Sequence, residues 1–405
     1  MPPTSLQDNA VKYLNYLCLE IPTRCVGSAG NRQATDFFAQ TIASFGFSVD
    51  TPSFDCIDWR QDGAALHASG IPFDVQVSPY SLGCQVSGAL HVINSLADLE
   101  AADLSGQIVL LQGEIAQEQI MPKNFVFYNP DHHKQIVSLL EAKSPLALVA
   151  ATGRDPSMAG AVYPFPLFED GDFDIPSVYL TDEAGLRLAQ HAGQPAELTI
   201  RAERRTATGC NVVARKGAQP HRRVVLFAHI DAKQGTPGAL DNAAGITTLL
   251  LLAELLQNDQ HNLGVEIVAL NGEDHYSAAG EMLFLSQNQG RFADMTLGVN
   301  LDGLGYRHGK TAFSLYGCSP ELAQQITAVF TAYPGLVEGE SWYQSDHGLF
   351  IMNEVPALAL TSSEFTPLWM EIAHTAKDTP DLVEPARLVE AASALRALVF
   401  RIDQA

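Results

Sequence analysis

The sequence predicts an α/β fold: a central, mostly parallel or mixed sheet sandwiched by helices, with a smaller β-rich domain inserted. Three observations carry that expectation. Residues 223–228 (RVVLFA) are almost continuously apolar, as a strand covered on both faces must be. Similar runs recur at 265–270, 297–301, 312–316 and 357–360, and a strong helix over 242–257 alternates with them. The chain has 405 residues, more than one hydrophobic core usually serves.

Along the chain, residues 6–19 read as a helix, followed by a turn with Gly27 and Gly30, a helix over 31–45 and a strand near 47–53. Residues 61–204 are richer in short strands and turns. Strands are expected at 107–111, 146–151 and 175–180, and helices at 135–142 and 183–191. Asp103, Ser105 and Gly106 supply turn chemistry there. From residue 205 strand and helix alternate. The predicted division is a core of 1–60 and 205–405 interrupted by 61–204, with edges set to about ten residues.

Asp and Glu number 46 against 24 Lys and Arg, a net charge of −22. That excludes a nucleic-acid binder, whose footprint is basic, and docking on an anionic membrane. Hydrophobic residues make up 46% and charged residues 17%, so the composition is globular and not disordered. The strongest apolar stretch, 246–256, falls short of the roughly 20 residues a bilayer span needs. The N-terminus shows no basic region followed by an apolar one. The six cysteines include no CxxC pair and read as core residues. A reduced, cytoplasmic chain is expected, with a secreted mature form as the alternative.

In open α/β sheets, ligands bind beyond the carboxyl ends of the strands. The residues found there are chemical. Strand 223–228 runs into His229 and Asp231, strand 265–270 into Asn271, Gly272, Glu273 and Asp274, and strand 297–301 into Asp302. Ser345, Asp346 and His347 open the helix ahead of 357–360. Loops add Asp241, within GALDNAAG, and His374, within AHTAKD. Each has a bland reading alone: Asp241 as a helix N-cap, His229 as a satisfied polar group, Glu273–Asp274 as a solvated turn. Together, several carboxylates and two histidines at one sheet edge repel one another unless a cation compensates. Carboxylate and imidazole ligation suits zinc, with manganese or cobalt as alternatives.

This ordered series resembles the co-catalytic di-zinc aminopeptidases, a group that includes bacterial leucyl-type aminopeptidases, glutamate carboxypeptidase II and the transferrin receptor. The N-terminal GSAGNRQATDFFAQTIASFGFSV is similar to that family's first helix, and LSGQIVLL and IPSVYLTDEAGLRL resemble its inserted protease-associated domain. The resemblance implies two zinc ions per chain. His229 and Asp302 would hold one, Asp274 and His374 the other, and Asp241 would bridge them. Glu273 would be the general base acting on a zinc-bound water, Asp231 would orient His229, and Tyr343, or else Trp342 or a nearby histidine, would stabilise the oxyanion. The Asp241–Asn242 bond would be cis. Many relatives carry Glu-Glu where this chain has Glu273–Asp274. The implied activity is metal-dependent removal of N-terminal residues from peptides, in a monomer or an oligomer.

The alternatives on this fold are a carboxypeptidase, a glutaminyl cyclase-like acyltransferase, or an inactive binding protein. A carboxypeptidase needs basic groups, and Arg307, His308 and Lys310 are the basic cluster near a ligand position. The acidic run Glu169, Asp170, Asp172, Asp174 reads as a solvated loop, with a cleft wall or a weak calcium site as alternatives. His132–His133 reads as surface.

Overall fold

Helix α1 (Leu6–Asn15) begins where the sequence supplies a capping box: the Ser5 hydroxyl accepts from the Asp8 amide, and the Asp8 carboxylate accepts from the Ser5 amide. The structure, a computed structural model, describes residues 5–21 and 23–404. Residues 1–4 and 405, at the limits of the predicted core, and residue 22 lie outside the described residues. Ser28 caps helix α2 (Ala29–Ser44), and strand β1 (Ser48–Asp50) follows.

The chain divides into two compact units. One takes the residues through Cys56 and from Ala207 onward, and the other takes Ile57–Thr206. The chain passes between them within β2 (Ser53–Ala68) and β9 (Pro195–Cys210). Between these lie β3 (Ile71–Phe73), β4 (Gln76–Val77), β5 (Cys84–Ile93), α3 (Leu96–Ala101), β6 (Gln107–Leu111), α4 (Asp131–Lys143), β7 (Ala147–Thr152), β8 (Ser177–Thr181) and α5 (Asp182–Ala189). They form a sheet ordered β3-β2-β9-β5-β6-β7-β8-β4. Strand β6 shows why it is two-faced: Val109 and Leu111 join one apolar cluster, Ile108 and Leu110 the other. The expectation of short strands fails at β2 and β9, which run 16 residues each. Their exposed positions are interleaved with buried and half-buried ones, so neither carries the continuous apolar run that marks a covered strand.

The remaining elements are β10 (Val212–Lys216), β11 (Gln219–His229), α6 (Ala244–Leu255), β12 (Leu263–Leu270), α7 (Ala279–Gln287), β13 (Met295–Leu301), β14 (Thr311–Tyr316), α8 (Pro320–Phe330), β15 (Leu336–Glu338), α9 (His347–Ile351), β16 (Ala357–Ser362), α10 (Phe365–Pro367) and α11 (Pro385–Asp403). With β1, the strands form a sheet ordered β1-β10-β12-β11-β13-β16-β14-β15. Its centre, β12-β11-β13-β16, is parallel, and β10 and β14 join it antiparallel. Every residue of β12 is buried, as a central strand with helices on both faces requires. Its one charged member, Glu266, meets Arg215 at 2.7 Å.

Register decides what this sheet presents at its edge. His229 pairs with Leu270, and Phe227 with Asn300. His229, the 271–274 loop and Asp302 therefore leave three adjacent strands at one level. Helix α6 closes on the same strands at Gly245, where an added Cβ would lie 2.6 Å from the Leu301 carbonyl and 2.9 Å from the Ala228 Cβ.

Candidate metal centre

The segment before α6 delivers Asp241. The Asp241–Asn242 peptide is cis, as the resemblance implied. The capping role weighed for Asp241 belongs to its neighbour: the Asn242 side chain accepts from the Gly245 amide at 3.0 Å and donates to the Leu301 carbonyl at 2.7 Å. That leaves the Asp241 carboxylate for the sheet edge. Gly272, at φ +120°, lets the chain turn after β12 so that Glu273 and Asp274 face the same place.

Five side chains meet there in two lobes that share Asp241. Its Oδ1 lies 3.0 Å from His229 Nε2, which lies 3.7 Å from Asp302 Oδ1. Its Oδ2 lies 3.1 Å from His374 Nε2, which lies 2.9 Å from Asp274 Oδ1. His229, Asp241, Asp274 and Asp302 are buried, and His374 is 22% exposed at its side chain, the open side of the cluster. Close approach does not become hydrogen bonding. Both ring nitrogens of His229, Asp241 Oδ2, Asp274 Oδ2 and Asp302 Oδ1 have no hydrogen-bond partner among the described residues. A buried polar atom left unmatched costs about 1–3 kcal/mol. Carboxylate oxygens and imidazole nitrogens converging with free lone pairs are the donor set of a divalent cation such as zinc, and these residues fit one.

The electrostatics point the same way. Burial works against a charged His229, but Asp241 and Asp302 outweigh it and hold the imidazole well above its usual range. Burial likewise opposes His374, and Asp274 and Asp241 raise it well above. Burial pushes Asp241 upward, and the two histidines more than reverse this, so it ends lowered. Without a cation, the cluster therefore holds protons in its place. Burial raises Glu273 well above a normal carboxyl, against the pull of His229 and with the help of Asp274 and Asp302.

Asp231 has partners that the sequence reading did not anticipate. Its carboxylate stands 3.8 Å from His229 Nδ1, beyond a hydrogen bond. It accepts instead the amides of Gly272 at 2.7 Å and Asp274 at 3.1 Å, so it shapes the loop that carries Glu273. Tyr343 stands apart from the five: it is 66% exposed, and its ring packs edge-on against Tyr316. Trp342 is buried against His347, with its carbonyl accepting from the Tyr316 hydroxyl.

Three further residues support the site, and two of them, Asp378 and Arg24, escaped the sequence reading. Asp378 accepts the amides of Leu240 at 2.7 Å and Asp241 at 3.0 Å, and burial pushes it up to about 7. Its signal was present, because it ends the AHTAKD segment read only for His374. Buried Arg24 donates to the carbonyls of Leu17, Ile230, Pro237 and Gly238, tying the loops after β11 to the N-terminal segment. Ser345 donates to Asp302 Oδ2 at 2.7 Å and accepts from Asn300 at 2.8 Å.

A second histidine–carboxylate cluster lies in the 57–206 unit: Glu118, His132 and His133. The surface reading of His133 is corrected, since it is 3% exposed on the buried face of α4 with Ile136 and Val137. Its Nδ1 accepts the Met121 amide at 3.1 Å, and its Nε2 lies 3.2 Å from Glu118 Oε1, which His132 Nε2 meets at 2.9 Å. A ring whose Nδ1 accepts must carry its proton on Nε2, so no lone pair faces a cation there. The acidic run is likewise committed. Asp170 accepts the amides of Lys123 and Asp172, Asp172 accepts from Asn124, and Asp174 meets Arg204 at 2.7 Å. The run is therefore a staple on the 123–124 segment and not a freely solvated loop, because the buried Asp170 needs its donors.

Residues 211–399 match the sequence family described as Peptidase family M28. The chain is 26% identical over 354 residues to a probable leucine aminopeptidase 2 of Aspergillus fumigatus, covering 82% of this chain and 67% of that one. It is 24% identical over 269 residues to a probable lipoprotein aminopeptidase of Mycobacterium tuberculosis, covering 64% of this chain and 50% of that one. The chain thus spans one half to two thirds of these relatives' lengths. The fold is shared with a zinc aminopeptidase of Bacillus subtilis, at a TM-score of 0.71 and 18% identity over 99% of this chain and 96% of that one. Among the described residues, no helix is long and apolar enough to cross a membrane.

Proposed function

We propose that the chain, whose residues 211–399 match peptidase family M28, is a metal-dependent aminopeptidase that removes N-terminal residues from peptides using two zinc ions. The observation that carries this reading is the two-lobed donor set sharing Asp241. His229 and Asp302 would hold one ion, His374 and Asp274 the other, and Asp241 both. Bound zinc would supply Lewis acidity toward the scissile carbonyl and toward water.

The chain's own residues do the rest. Glu273 takes a proton from the attacking water and returns it to the leaving amine. Its raised pKa belongs to the cluster without a cation, and a nearby positive charge lowers it toward the ionised form a base requires. Asp231, through the amides of Gly272 and Asp274, keeps the Glu273 loop in place. Asp378 does the same for Asp241 by holding two amides ahead of it. The carboxylates favour the cationic amine of a free peptide N-terminus. The 57–206 unit is read as a protease-associated insertion, on its β-rich build and its place in the chain.

A carboxypeptidase would need a free cation for the substrate carboxylate, and Arg307 is committed to the Asp381 carbonyl at 2.7 Å. A one-zinc cyclase would leave half of the donor set unused. The test is a panel of aminoacyl-nitroanilides and their N-acetylated forms, with chelator and zinc add-back. Hydrolysis of free-amine substrates alone, lost on chelation and restored by zinc, is expected. Cleavage of the acetylated forms would overturn the aminopeptidase reading.

A further inference from the structure

We propose that Arg24 and Asn31 are positioning residues of the candidate metal centre, and that one N-terminal turn sets the two loops carrying its ligands in register. Arg24 precedes α2, Asn31 lies in its first turn, and both are buried. Gly30 lets the chain fold tightly between them: an added Cβ there would lie 2.0 Å from the Thr23 carbonyl oxygen. The Asn31 side chain donates back across the turn to the Arg24 carbonyl at 2.9 Å. The turn is thereby a fixed unit, and it offers two donor groups, a guanidinium and an amide, to different loops.

Arg24 grips the loop between β11 and α6 in two places. Its Nε donates to the Ile230 carbonyl at 3.0 Å, between His229 and Asp231. Its Nη1 and Nη2 donate to the carbonyls of Pro237 and Gly238, each at 2.8 Å, shortly before Asp241. A planar guanidinium fork holds two stretches of chain at a set separation, which the single ammonium of a lysine does not. Asn31 reaches the other loop. Its Nδ2 donates to Asn271 Oδ1 at 2.8 Å, and Asn271 Nδ2 donates in return to Asn31 Oδ1 at 3.0 Å. Asn271 is the first residue after β12 and leads into Glu273 and Asp274.

The amide pair admits one arrangement. Asn31 spends both hydrogens of its Nδ2, on Asn271 and on the Arg24 carbonyl, and Asn271 spends both of its own, on Asn31 and on the Cys210 carbonyl at 3.0 Å. Turning either amide over would set oxygen against oxygen. A buried network with its donors satisfied is rigid, and here it fixes the backbone beside four of the site's residues: His229, Asp241, Glu273 and Asp274. The consequences differ by residue. Arg24 acts on the segment that delivers Asp241, and so on both lobes. Asn31 acts on the loop after β12, and so on the lobe of Asp274 and His374. This division rests on the two-ion reading proposed above.

The experiment compares wild type with Arg24→Lys, which keeps the charge and loses the fork, and with Asn31→Leu, which keeps the size and loses the amide. Chelator competition reads the affinity of each zinc ion, and the visible spectrum of the cobalt-loaded protein reads ligand geometry. Arg24→Lys should weaken both ions ~10- to 100-fold, the range for residues that orient metal ligands. Asn31→Leu should weaken one ion by that ~10- to 100-fold, leave the other within about threefold and alter the cobalt spectrum. Wild-type affinities and spectra in both variants, with only Tm lowered, would reduce the two residues to a structural role and overturn the proposal. Equal weakening of both ions by Asn31→Leu would overturn it as well. Should either variant fail to fold, Asn31→Ser, a smaller change at the same hydrogen bonds, decides on the same readouts as Asn31→Leu. Peptidase inactivity of the zinc-loaded wild type, with affinities and spectra as expected, would sink the aminopeptidase reading and leave the positioning roles standing.

Discussion

Among the described residues, each unit of the molecule has one place where three ligand atoms of histidines and carboxylates lie within 4.8 Å of one another. In the 57–206 unit, every nitrogen of buried His133 is committed: one accepts a backbone amide and the other meets Glu118. At the edge of the other sheet, both nitrogens of His229 and oxygens of Asp241, Asp274 and Asp302 are buried without a partner. Both draw on imidazole and carboxylate groups, and the chemistry is not the same. What separates a cation site from a settled hydrogen-bond network is whether the lone pairs have been used. Burial makes that distinction expensive, because a buried polar atom without a partner has lost its contact with bulk water.

The comparison breaks most directly at Asp241. Asp241→Ala removes the oxygen pair common to both lobes, and complete loss of bound zinc and of turnover is expected from metal analysis and nitroanilide assay. Next comes Glu273→Gln, which should keep its zinc and lose ~100- to 10,000-fold in kcat, the usual range for a general base. Full activity of that variant would remove Glu273 from its role.

The third prediction concerns pH. The folded, metal-free histidines His229 and His374 are raised, so their stabilising contribution is present below their unfolded pKa and fades as pH rises through the folded one. Asp346 and Asp378, raised to about 7, act in the same sense: the folded state binds more protons than the unfolded, so stability falls as pH climbs from near 4 to near 7. Zinc instead competes with the histidine protons and binds better as pH rises. The gap in Tm between zinc-loaded and chelated protein should therefore widen from about pH 5 to about pH 8, and a constant gap would contradict the site.

Smaller effects sharpen the contrast from the other unit. His133→Leu should leave zinc content and kcat untouched and cost about 1–3 kcal/mol, because the Met121 amide loses its acceptor. A drop in zinc content would make that cluster a metal site after all. Smallest is Tyr343→Phe. An oxyanion donor is worth ~100- to 1000-fold in kcat, and this exposed side chain should fall well short of that.

Much of the architecture was legible before the structure. The apolar run at 107–111 is β6, and the runs at 265–270 and 297–301 lie within β12 and β13. The rule that ligands collect at strand carboxyl ends found His229, Glu273, Asp274 and Asp302 without contact information. Other residues were not readable in the same way. Asp231 follows His229 by two positions and yet turns to the amides of another loop. His133 sits in a polar run whose α4 face happens to be the buried one.

By itself, then, the sequence determined the order of apolar strands and which ligand types stand at the strand ends. Those features depend on periodicity and neighbours, which are local. The tertiary structure alone decided which lone pairs remain open. Hydrogen-bond satisfaction depends on distance and angle to groups that come from elsewhere in the chain, and no spacing along the chain encodes where they arrive.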